Sequence, residues 1–144
     1  MGHTATRATT ILLQGFVAIT TIIGALFVVP TLPLAWLQRG PMTDYTIPAI
    51  ALGLVGVSAV ASIVLLAFES PRAPIVTMLS GAMMIVFEFV EITVVGLAIV
   101  VHGADNPVSW LQVVYIAIGV TVMMLGYRLW NQMATPWAYA HHVR

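Results

Sequence analysis

The chain predicts an all-α fold: a four-transmembrane-helix bundle with the N and C termini on the cytoplasmic side. Three observations predict it. First, of 144 residues 60% are hydrophobic and only 7% charged, whereas a soluble domain carries roughly 25% charged residues. Lipid must therefore cover most of the outside. Second, four apolar runs occur, at about 9–29, 47–68, 74–101 and 108–130. Each is close to or above the ~20 residues that a helix needs to cross ~30 Å of hydrocarbon. Third, all five basic residues are arginines, and four of them (Arg7, Arg72, Arg128 and Arg144) fall on one side of a four-pass arrangement, with only Arg39 on the other. Arginine marks the cytoplasmic side.

The first helix follows Arg7. Its apolar run exceeds the about 7–15 residues of a signal-peptide core, and no small-residue cleavage pattern follows, so it reads as a retained helix. Residues 30–46 carry Pro30, Pro33, Gly40 and Pro41 among Trp36, Leu37 and Tyr45. The prolines forbid a continuous helix, and the apolar content suits an interfacial cap over the bundle. The second helix is lined with small residues, including Ala49, Gly53, Gly56, Ser58 and Ser62. These let helix backbones approach in lipid, within the bundle or across a homodimer seam. Residues 69–74 form a tight turn, and Pro74 suits the first turn of the third helix. The third linker, around Pro107, is a second turn cluster, and the fourth helix ends near Trp130. The whole chain is a single integral membrane domain.

Composition excludes several functions. There is no cysteine, hence no disulfide, thiol catalysis or cysteine metal site. Net charge is zero, so no nucleic-acid footprint exists. His3, His102, His141 and His142 all lie outside the helix cores, which disfavours haem ligation within the bundle. No nucleophile or cofactor-binding pattern is placed, so no cofactor and no catalytic residue is expected, and an enzyme is the least favoured reading.

The informative residues are Glu88 and Glu91, three apart on one face of the third helix. Carboxylates at bilayer depth are expensive and need a reason: either a proton, cation or ligand site, or hydrogen bonding across the bundle that fixes its packing. Inserting a charged side chain at mid-helix costs about 2.5–3.5 kcal/mol. Holding a glutamate neutral at pH 7 costs about 3.7 kcal/mol. These costs are comparable, and like charges one turn apart repel, so at most one of the pair is expected to be ionised, the two titrating as a unit. Polar partners available from other helices are Gln14, Thr20, Thr21, Gln112, Tyr115 and Thr121. Asp44 and Tyr45, with Arg39, sit at the outer mouth, where they serve either as a helix cap with an interfacial tyrosine or as ligand contacts above the pair.

Two segments, Pro41-Met42-Thr43-Asp44-Tyr45-Thr46-Ile47-Pro48 and Ser109-Trp110-Leu111-Gln112-Val113-Val114-Tyr115, resemble a group of small uncharacterised bacterial four-helix membrane proteins, frequent in actinobacteria. That group carries P-x-x-D-Y-x-I-P before its second helix and S-W-L-Q-x-x-Y opening its fourth. The resemblance implies that Asp44, Tyr45, Pro48, Glu91, Trp110, Gln112 and Tyr115 form one unit. It carries no activity with it. Small multidrug-resistance transporters share the four-helix layout and a membrane glutamate, but theirs lies in the first helix, which here has none.

The expectation is a non-enzymatic binding or transport module of a bacterial plasma membrane. Its site for a proton, cation or small apolar ligand is Glu88, Glu91, Asp44, Tyr45, Gln112 and Tyr115. The alternative is a structural or accessory subunit of a larger membrane complex. The expected partners are the lipid bilayer and either a second copy or that complex.

Overall fold

The computed structural model describes residues 3–31, 44–93 and 109–140. Four α-helices follow one another: α1 (His3–Ile23), α2 (Thr46–Ala67), α3 (Ala73–Glu91) and α4 (Ser109–Ala140), with no strand among the described residues. α1 runs on through a π-helical turn, Gly24–Val28, and a 3-10 turn, Val29–Thr31. Each of the four helices is long and apolar enough to cross a membrane. The protein is a multi-pass helical membrane protein. Its exposed side chains include Leu12, Leu26, Phe68, Val86 and Phe89, a surface that suits lipid and not water.

Successive helices are antiparallel neighbours, and α4 packs back on α1 to close the bundle. The small residues of α2 are used inside it. A Cβ on Gly56 would lie 2.6 Å from Ile22 Cγ1 and 2.7 Å from Thr21 Oγ1 on α1. On the other side of α2, Ser58 donates to Ser80 at 3.1 Å, and the Ser62 and Thr77 hydroxyls are 2.7 Å apart. The closest approach joins α3 to α4. A Cβ on Gly81 would lie 2.6 Å from the Gly119 carbonyl oxygen, and one on Gly126 would lie 3.0 Å from both Met78 N and the Pro74 carbonyl oxygen. Backbone lies against backbone here, the small-residue packing that lipid favours. This seam fixes the register of the two helices that carry the acidic and amide side chains.

The turn between α2 and α3 closes tightly, with Pro74 in the first turn of α3. Ser70 N–H donates to the Leu65 carbonyl at 2.9 Å and Glu69 N–H to the Leu66 carbonyl at 3.2 Å. This is the paired-bond helix ending that normally has glycine in the left-handed position. Here that residue is Glu69, with φ 54°. Arg7 of α1 compensates: its guanidinium pairs with the Glu69 carboxylate and donates to the Ala67 carbonyl at 2.9 Å. A left-handed non-glycine costs about 1–2 kcal/mol, and an exposed ion pair returns at most about 1 kcal/mol. Glu69→Gly is therefore expected to stabilise an Arg7→Gln background by about 1 kcal/mol and the wild-type background by less. A thermal-unfolding double-mutant cycle measures the difference; equal effects in both backgrounds would remove Arg7 from the turn.

The helix bounds differ from the hydropathy reading. α1 begins at His3, and α4 continues ten residues past Trp130 to Ala140, because hydropathy registers the thickness of lipid and not the end of a helix. α3 starts beside Arg72, so at 1.5 Å per residue Glu88 lies about 22 Å along it, toward the end of the helix away from Arg72. The remainder of the expected third helix, 94–101, and most of the expected cap, 32–43 with Arg39, lie outside the described residues.

Candidate functional site

The interior is layered along α3. Thr77, Ser80, Gly81, Met84 and Glu88 are all buried, at the spacing of one helix face. At the lower level Ser80 Oγ donates to Gln14 Oε1 at 3.3 Å, joining the Ser58 and Ser62 contacts from α2. Above it Val17, Ala18, Val55, Ala59 and Met84 form an apolar layer. Above that layer the same α3 face presents Glu88.

Glu88 is 4% exposed, while its neighbours Val86, Phe89 and Val90 face outward. The carboxyls of Glu88 and Glu91 come within hydrogen-bonding range of each other, and Gln112 of α4 reaches Glu91. The glycine seam explains this meeting. The register that sets Met78 against Gly126 and Gly81 against Gly119 carries along two antiparallel helices to set Glu91 against Gln112. Glu88 Oε2 and Gln112 Nε2 are nonetheless buried without a well-formed hydrogen bond. Buried polar atoms without partners are rare and call for a water, ion or ligand. No arginine or histidine among the described residues pairs with either glutamate.

Tyr45 closes the group. It is buried at the start of α2, and burial first, then the charge of Glu91, raises its phenol above the ordinary value. Tyr45 therefore stays protonated at neutral pH and can donate a hydrogen bond. Glu88, Glu91, Gln112 and Tyr45 thus come together from α3, α4 and the entry to α2.

The other expected residues are placed differently. Asp44 is exposed, and its Oδ1 accepts the Thr46 N–H at 2.9 Å, the side-chain turn that starts α2. The Thr46 backbone bond, then its side chain, lowers Asp44 below the usual carboxylate value. Asp44 thus holds the turn that leads into α2. Tyr115 lies at the level of Glu88 by register, and its ring stacks on Phe16 of α1, centroids 6.4 Å apart. Pro48 is in the first turn of α2, and the Trp110 side chain lies outside the described residues. Thr20, Thr21 and Thr121 return their hydroxyls to carbonyls of their own helices, Phe16, Val17 and Ala117, as threonines in apolar helices do. Gln14 belongs to the lower layer, and Arg128 lies beside the first turns of α3, at the opposite end from the pair. The serine and threonine contacts of the lower layer went unread in the sequence, where isolated hydroxyls in apolar helices carry no sign of their partners.

No protein-family model, curated protein or solved structure matches the chain.

Proposed function

We propose that the protein is a binding or transport module of a bacterial plasma membrane, with both termini in the cytoplasm. In it Glu88 and Glu91 take a proton, a cation or a small apolar ligand. The observation that carries this is the buried Glu88 Oε2, which makes no well-formed hydrogen bond, beside a second carboxyl, the Gln112 amide and a phenol. The group offers acceptors with no cation among the described residues, so a bound cation would displace the proton that the pair shares. Gln112 and Tyr45 would orient the pair and sense its charge. The apolar layer around Met84 separates this site from the other side of the bundle, as a module that admits ligand from the outer face requires. The inward direction of Glu88 favours this reading over an accessory subunit, whose polar face would point outward to dock its partner.

The test is equilibrium binding of tetraphenylphosphonium and of Na⁺ to the purified protein in nanodiscs. Wild type is expected to bind at least one of them, and Glu88→Gln and Glu91→Gln each to weaken it at least about tenfold, the equivalent of 1.4 kcal/mol. Unchanged binding in the double variant would remove the site. Orientation is checked separately. Alkaline phosphatase fused after Arg144 is expected to be inactive, and a fusion in residues 32–43 active; the reverse pattern would invert the topology.

A further inference from the structure

At the opposite end of the bundle an open groove of about 710 Å³ runs along α4, lined by Met78, Met123, Met124, Tyr127 and Arg128, with Thr6 of α1 at its edge. We infer that this groove seats an anionic phospholipid of the arginine-rich leaflet, its phosphate on Arg128 and the start of one acyl chain along the methionines.

The charge inventory carries the first half. Among the described acidic residues, Asp44, Glu88 and Glu91 lie at the opposite end of the bundle, leaving Glu69 alone at the end of Arg7, Arg72 and Arg128. Glu69 is taken by Arg7. Arg128 is exposed and has no ion pair or hydrogen bond among the described residues. No described carboxylate is left to face it, and anionic headgroups are the anions concentrated at that depth.

Depth carries the second half. Gly126 abuts Pro74 and Met78, so Arg128 stands level with the first turn of α3, where Arg72 marks the interface. Met124 and Met123 lie about one turn nearer the bilayer centre. The groove is thus cationic at headgroup level and apolar at acyl level, in the order in which a phospholipid presents phosphate and chain. Methionines adapt to a flexible chain, and Tyr127 is an aromatic at interfacial depth. A soluble anion would use the arginine and leave the apolar wall unexplained.

The experiment is native mass spectrometry of the full chain released from micelles doped with equal phosphatidylglycerol and phosphatidylcholine, with inorganic phosphate as a third arm. Wild type is expected to retain one phosphatidylglycerol in preference to phosphatidylcholine. Arg128→Gln is expected to lower that preference about tenfold, the loss of one charge-assisted contact. Met124→Trp, at a side chain 64% exposed, is expected to fill the wall and reduce retention of either lipid. Arg72→Gln, an exposed arginine at the same end but outside the groove, is expected to leave retention unchanged. Equal retention of the two lipids, an Arg72→Gln loss as large as that of Arg128→Gln, or competition by inorganic phosphate alone would each overturn the proposal. A change in oligomeric state with lipid retention intact in Arg128→Gln would assign the groove to a second copy and overturn it too.

Discussion

Gly81→Ala is expected to destabilise the bundle by about 1–3 kcal/mol, the range for forcing atoms into a packed interior, and Gly81→Val by more. The added Cβ would sit 2.6 Å from the Gly119 carbonyl oxygen and 3.0 Å from Met123 N, with Met123 Cγ at 2.8 Å. Two of these three atoms are backbone and cannot turn aside, so α3 and α4 must separate. Gly119 faces the same wall, its Cβ meeting the Gly81 carbonyl oxygen at 3.0 Å. Gly15→Ala is the control. Nothing lies within 4 Å of its Cβ, and alanine is favoured over glycine within a helix by about 0.5–1 kcal/mol, so this variant should be neutral or slightly more stable. Thermal unfolding of the three variants in one detergent gives the comparison. Because the seam also sets Glu91 against Gln112, Gly81→Ala should weaken cation binding without touching a ligand. Equal stability of Gly81→Ala and Gly15→Ala would mean that the helices are not held in backbone contact.

Glu88→Met is expected to make the protein more stable while abolishing cation binding. The native carboxyl is 4% exposed and has an oxygen without a hydrogen bond. Leaving a buried polar group unsatisfied costs about 1–3 kcal/mol. Methionine is similar in length and flexible enough to fill the space beside Met84, so the substitution removes the cost without opening a large cavity. Trading stability for a functional group is common at sites that bind or react. A carboxyl kept only to lock the helices together would give the opposite sign, because Glu91 would lose a partner and gain nothing. The sign of the change in unfolding temperature, at one pH and in one detergent, therefore separates a working site from a structural clamp.

The four helices were legible because lipid imposes a simple rule: an apolar run of spanning length becomes a helix. That Glu88 and Glu91 share one side of α3 was legible from their spacing; that Glu88 turns inward was not, because apolar residues surround it on every side of the helix in the sequence. Gln112 was legible only as one of six polar candidates; its meeting with Glu91 depends on the register of α3 against α4. What resisted reading depends on register and on local energetics. Gly81 and Gly119 are 38 positions apart, and nothing in either segment announces the other. The left-handed Glu69 is hidden because glycine is the usual residue there, and the supporting Arg7 comes from another helix. Asp44 carried two readings, cap or ligand contact. The backbone N–H two residues on offers it the nearest donor, and the structure uses it.

The central claim is that Glu88 and Glu91 share a proton that a cation displaces. Infrared difference spectroscopy of the purified protein, with and without tetraphenylphosphonium at pH 7, tests it most directly. The account predicts loss of a protonated-carboxyl band with matching gain of carboxylate bands on cation addition, both absent from Glu88→Gln/Glu91→Gln. A cation that binds wild type while the carboxyl bands stay unchanged would contradict it.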